Sequence, residues 1–357
     1  MRWTRVFGIS MSGLLSAGCL VAMPMPGMAA GIAPAPHYSL PSLPPAAQAV
    51  NNGNPGVVVG SGNPASCTSA AVVSAVAEGG NISFNCGQKP VTITMTATAK
   101  VVNTSHQIVI DGGGKVTLSG GGKIRILYMN TCDARQLFIS DMCWEQQWPR
   151  LVVENLTFED GYAGTQQSDK ASYGGGAIYA EGGQLKVANS NFIDNRCYKW
   201  GPDIGGGAIR AYGMFMNSII YINNDTFTGN WCSNGGAISG LFANFDVFDS
   251  VLTGNKALGW GQNPAIKGTP GGGSGGAIYT DGNHYNLIID GTTMSGNTAT
   301  EGGGAIFYVV NSGGGGLKIE YSRLRGNPSG VFQNAPGIFD HVDGHNQPPD
   351  VIYSTIY

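Results

Sequence analysis

Hydrophobic positions in this chain follow two regimes. Near the start they form one block, Val6 to Val21, behind the basic residues Arg2 and Arg5. From residue 80 onward they come in short runs that alternate with polar residues and stop at glycine: "NISFNC", "VTITMTAT", "IVIDGGG", "VTLSGGG", "LVVENLTFEDG". Alternation with a period of two, bounded by glycine, predicts short β-strands. One stretch departs from it. In "CTSAAVVSAVAEGG", Ala71, Val72, Ala75 and Val76 keep helical spacing. Thr68 or Ser69 can cap that segment and Gly79-Gly80 can end it, which predicts a short helix.

After residue 174 the strand pattern becomes a repeat. "GGAI" occurs at 175–178, 206–209, 235–238, 275–278 and 303–306, with its alanines 31, 29, 40 and 28 residues apart. A second strand follows each copy ("QLKVANS", "SIIYINND", "ANFDVFDS", "NLIIDGT", "GLKIEYS"). A third stretch then places an apolar residue three positions before Asn: "FIDN", "FTGN", "LTGN", "MSGN", "LRGN". Three short strands per period make one triangular coil. Coils stacked at about 4.8 Å form an all-β, single-stranded right-handed parallel β-helix of three sheets, capped at its N-terminal end by the short helix. Equivalent residues then stand in columns. Ile178, Ile209, Ile238, Ile278 and Ile306 should stack inside, as should Phe192, Phe227, Leu252, Met294 and Leu324. Asn195, Asn230, Asn255, Asn297 and Asn327 should form an amide ladder at a corner.

Composition fits such a stack. Glycine supplies 57 of 357 residues, charged residues only 11 %, and hydrophobic ones 42 %. The first 30 residues read as an export signal with a small-residue cleavage site at Gly27–Ala30, and 31–66 as a linker rich in Pro, Gly and Ala. The β-helix domain is expected over 67–357, ending in a Pro-rich tail. "LSAGC" around Cys19 is the rival reading, a lipoprotein site. Either way the destination is secretion or the cell surface, in the manner of Gram-negative export. Net charge is −3. A mildly acidic chain is a poor match for nucleic acid. Export makes disulfides the default for the six remaining cysteines, and pairing nearest neighbours gives Cys67–Cys86, Cys132–Cys143 and Cys197–Cys232.

The pairing of GGAI with Phe-x-x-Asn resembles the repeat of the polymorphic outer-membrane protein family, bacterial surface adhesins. The wider pattern, a Cys-Thr helix, "NISFNCG", "IDGGGKVTLSGGG" and then GGAI coils, resembles the pectin-lyase-like β-helix superfold over roughly 67–330. That resemblance implies the fold, and a choice among adhesin, lyase and hydrolase. The chain stops within about 30 residues of its last repeat, so no transmembrane barrel is expected. The hydrolase signatures Asn-Thr-Asp, Asp-Asp, Gly-His-Gly and Arg-Ile-Lys are not found in order. Calcium would be expected only of a lyase; otherwise no cofactor is.

Strand parity supplies candidate site residues. If the Ile of GGAI points inward, Tyr179, Arg210, Ser239, Tyr279 and Phe307 point outward, and so do Glu181, Tyr212, Leu241, Asp281 and Val309. Tyr179, Glu181, Arg210, Tyr212, Tyr279 and Asp281 would make a flat face for an extended extracellular or cell-surface polysaccharide, through ring stacking and Arg–carboxylate pairing. Glu181 and Asp281 would stand three coils apart, about 14 Å, too far for paired-carboxylate catalysis. Three secondary features remain. Trp200, Trp231 and Trp260 form either a platform or edge cover. The "CDARQLFISDMCWEQQW" excursion at 132–148 could wall a groove. Asp340, His341, Asp343 and His345 crowd the tail, where they could bind a cation or exchange a proton. An enzyme on the same fold and a spacer without ligand are the competing functions.

Overall fold

A computed structural model describes residues 42–50, 53, 55–138, 140–164, 174–214, 218–263 and 265–357. The expected export signal and part of the expected linker lie outside the described residues. The described residues fold as a parallel β-helix. A 17-stranded sheet carries the second and third strand of each coil, and a nine-stranded sheet carries the GGAI strands. A third sheet of three two-residue strands, including Trp231–Cys232, lies along one corner. Among the described residues every strand pairing between coils is parallel, and the sole antiparallel strand pair joins Ile338–Val342 to His345–Asn346 within the last coil. Ser69–Glu78 is the helix, with the Thr68 hydroxyl accepting from the Ala71 N–H and Gly79 ending it at φ +82°.

The columns are in register. Leu127, Ile178, Ile209, Ile238, Ile278, Ile306 and Ile338 are successive partners, all buried. The aromatic column begins one coil earlier than the repeat suggests: Phe158, Phe192 and Phe227 stack with centroids 5.2 and 4.6 Å apart. The glycine pair answers to two separate demands. Gly235 opens its strand at φ +54°, where a side chain is strained, and a Cβ on Gly236 would sit 2.2 Å from the Gly276 carbonyl oxygen of the next coil.

Two polar ladders run beside the apolar columns. Each Asn amide donates to the next Asn Oδ1: 195 to 230 at 3.1 Å, 230 to 255 at 2.9 Å, 255 to 297 at 2.8 Å and 297 to 327 at 2.9 Å. The same amides donate to backbone carbonyls of the preceding coil, as Asn255 does to Phe227 at 3.0 Å. A second ladder has Ser190, Asp225, Ser250, Thr292, Ser322 and Ser354 side-chain oxygens each accepting a backbone N–H from the coil before. The backbone at these corners is thus satisfied without water, as burial demands.

Part of the expected linker belongs to the body. Val57–Val59 pairs with the strand Gly80–Phe84, and Ala47 is fully buried. The C-terminal residues are likewise a coil and not a loose tail: Ile338–Val342 continues the isoleucine column, and Asp350–Ile352 pairs with Leu317–Glu320. Disulfides join Cys67 to Cys86, Cys132 to Cys143 and Cys197 to Cys232. The first ties the segment before the helix to the strand after it.

Candidate functional site

The proposed flat face has the right parity and the wrong environment. Tyr179, Arg210, Ser239, Tyr279 and Phe307 do point away from the isoleucine core, yet none is more than 8 % exposed. The reason lies in the segments between the Asn corner and GGAI, which fold back over the sheet. Arg210 Nη2 donates to the Asp203 carbonyl at 3.0 Å and Nη1 to Ser239 Oγ at 2.5 Å, while its Nε is buried without a partner. The excursion carrying Asp203 is pinned by Asn234 and Ser233, whose side chains donate to Pro202 and Gly201 carbonyls at 2.8 and 2.7 Å. A second excursion is pinned by the Glu301 carboxylate, which accepts the N–H groups of Gly261, Gln262 and Asn263. Burial lowers the Arg210 pKa and pushes that of Arg125, which lies 4.9 Å over the Tyr179 ring, down to about 10.

Glu181, Tyr212 and Asp281 keep partial exposure, but the two acids are held apart. Glu181 Oε2 accepts from Tyr179 Oη at 2.6 Å and Asn130 Nδ2 at 2.8 Å. Asp281 accepts from Tyr279 Oη at 3.1 Å and Asn311 Nδ2 at 2.7 Å, and burial raises its pKa. Register places them three coils apart, through Tyr212 and Leu241. The tail cluster disperses as well. Asp340 is buried and pushed up to about 6 by desolvation, while His341 stacks outside on Phe339 and His345 is exposed. Among the described residues no group of three or more His, Cys, Asp or Glu could hold a metal. Trp200 and Trp260 are 38 % and 50 % exposed, with Lys199 Nζ 4.1 Å over the Trp200 ring.

A concave feature lies one corner further along each coil. A cleft of about 690 Å³ is lined by Tyr212, Gly213, Met214 and Ser218 from one coil, Phe242, Ala243 and Asn244 from the next, Asn283 and His284 from the one after, and Trp144 and Glu145 from the 132–148 excursion. Three successive coils therefore build its floor, and it runs along the stack axis. Its wall is fixed. The Cys132–Cys143 bridge closes the excursion, and Thr131 Oγ1 donates to the Cys143 carbonyl at 2.5 Å. Gly213 turns beside the wall at φ +50°, where a side chain is strained, although a Cβ there would only touch Trp144 at 3.4 Å. Phe242 and His284 hold the left-handed backbone at φ +53° and +52°, which turns their side chains out of the coil. Tyr212 meets Phe242 edge-on at 6.4 Å, and Phe242 and Trp144 are 48 % and 49 % exposed. Asn244 is oriented by the Asn286 N–H, which donates to its Oδ1 at 2.9 Å.

Of the six candidate residues only Tyr212 reaches this cleft. The others lining it sit at corner positions that vary from coil to coil, so no repeat marks them; the legible hint was the aromatic, cysteine-closed excursion. Lysine and arginine are missing from the described lining, and its titratable groups are Glu145, His284 and the Tyr212 phenol.

Residues 291–308 match the Chlamydia polymorphic membrane protein repeat. The matched stretch holds Met294, Asn297 and the last GGAI, one rung of each column. No curated protein and no solved structure matches this chain.

Proposed function

We propose that this is a surface or secreted β-helix protein that holds an extended extracellular glycan in the Trp144–His284 cleft, without cleaving it. The observation that carries the reading is the cleft itself: the exposed rings of Trp144 and Phe242 and the half-buried ring of Tyr212 beside the oriented Asn244 amide, over a floor that three successive coils build. Ring faces stack on sugar rings, amides bond hydroxyls, and a mostly preformed apolar pocket with a few polar groups is the usual form of a small-ligand site. A glycan chain laid along the stack meets equivalent corners in turn. The repeat match and the three disulfides support an exported location. The separation of Glu181 from Asp281 speaks against retaining or inverting hydrolysis between them. Because neither lysine nor arginine is among the described residues of the lining, a neutral chain fits better than the uronate suggested by an outward Arg210.

The test is a panel of neutral and acidic polysaccharides, with binding, reducing ends and unsaturated products all followed. Saturable binding to a neutral chain is expected, weakened about tenfold by Trp144→Ala or Phe242→Ala, with no product. Product release would favour a lyase or hydrolase instead. A folded protein that binds no glycan would favour a spacer.

A further inference from the structure

Residues 42–50, "SLPPAAQAV", lie against the outer face of the 17-stranded sheet. The face is outer because Lys186 alternates with the core residues Leu185 and Val187, and Glu154 follows core Val153. Pro45–Ala47 form a single turn, entered from Pro44 at φ −54°, ψ 138° and left through Gln48 at φ −67°, ψ 151°. Both flanks are close to polyproline II geometry. Ala47 has no exposed surface, and the turn packs on Ile219–Asn223. Lys186 Nζ donates to the carbonyls of Ala46 at 3.1 Å and Gln48 at 2.7 Å, and Glu154 Oε2 accepts the Val50 N–H at 2.7 Å. The segment thus crosses three neighbouring strands along the stack axis.

Glu154 is 1 % exposed and its other oxygen, Oε1, is buried without a donor. A buried carboxylate is costly unless bonded. Here the bond comes from the segment. Lys186 likewise directs its donors at the segment's carbonyls and not at Glu154. The sheet face therefore carries a cation and an anion spaced for the backbone of an extended peptide, contacts that read carbonyl and N–H groups and depend little on side chains. Polyproline II peptides suit such a face because they are already extended and lose little entropy on docking.

We propose that the face formed by Glu154, Lys186 and Ile219–Asn223 is a docking groove for an extended proline-rich peptide, with residues 42–50 as its detachable occupant. Among the described residues, three hydrogen bonds to Glu154 and Lys186 and the burial of Ala47 hold the segment, so it opens at a fraction of the cost of unfolding the coils. Once it leaves, the groove accepts the same segment of a second copy.

The experiment replaces Asn51-Asn52 with a protease site in the full chain, cuts it, and adds a fluorescent peptide of residues 42–50. The expected result is saturable binding to the cut protein and none to the uncut one, weakened about tenfold or more in Lys186→Met. Failure of the peptide to bind a cut protein that still melts cooperatively would overturn the proposal. So would equal binding to cut and uncut protein, or to Lys186→Met. Loss of the coil melt together with the segment would also overturn it, because the segment would then be core and not occupant. None of these results bears on the glycan cleft.

Discussion

Asp225 stands in a column of hydroxyls. Its neighbours Ser190 and Ser250 occupy the same corner one coil away, and each accepts a single backbone N–H. Asp225 accepts two, from Ser190 at 2.6 Å and Asn223 at 2.9 Å, but burial still holds its pKa well above the usual carboxylate range. The folded protein therefore binds that proton more tightly than the unfolded chain. Stability from this group is present at low pH and is lost as pH rises through the folded pKa. Asp246 and Asp340, both pushed up to about 6, act in the same direction. Asp225→Ser keeps the Ser190 bond and removes the charge, so its melting temperature should exceed the wild type by a few degrees at pH 8 and by less at pH 5, read by thermal denaturation at both. In the amide ladder the sign reverses. Asn255→Ala strips donors and acceptors from both neighbouring coils and should cost about 3 kcal/mol or more in denaturant unfolding. Asn327→Ala, at the last rung, should cost less.

At the scale of elements, two disulfides have separable roles. Cys197–Cys232 ties two successive coils across 35 residues, and its removal should lower stability by about 4 kcal/mol on loop-closure grounds. Cys132–Cys143 closes only the excursion that walls the cleft. Replacing both of its cysteines by serine should leave the main melt nearly unchanged while weakening glycan binding, a split measured by calorimetry and titration on one preparation. Legibility divides along the same line. GGAI and Phe-x-x-Asn were readable because each column must repeat a shape. The coil at 338–356 escaped because Ala335-Pro336-Gly337-Ile338 stands where Gly-Gly-Ala-Ile does elsewhere. The hydroxyl ladder mixes Ser, Thr and Asp, so no one letter recurs. Parity told which way Tyr179 and Arg210 point, but not that the irregular segment bearing Asp203, seven residues before Arg210, folds back over the sheet.

For the whole molecule, the cleft and the peptide groove are both products of stacking. Neither exists on one coil, and each runs along the axis because corners and outer faces repeat at the strand spacing. The claim beneath both is that the GGAI copies are consecutive coils in one fixed register, with Thr228 opposite Thr253 and Thr226 opposite Val251. Paired cysteines measure this directly, since a disulfide tolerates Cα separations of only about 4.4–6.8 Å. Under mild oxidation, Thr228→Cys with Thr253→Cys should cross-link nearly completely in the folded protein, while Thr228→Cys with Val251→Cys should stay reduced. Efficient closure of the second pair and failure of the first would contradict the register and remove the cleft with it.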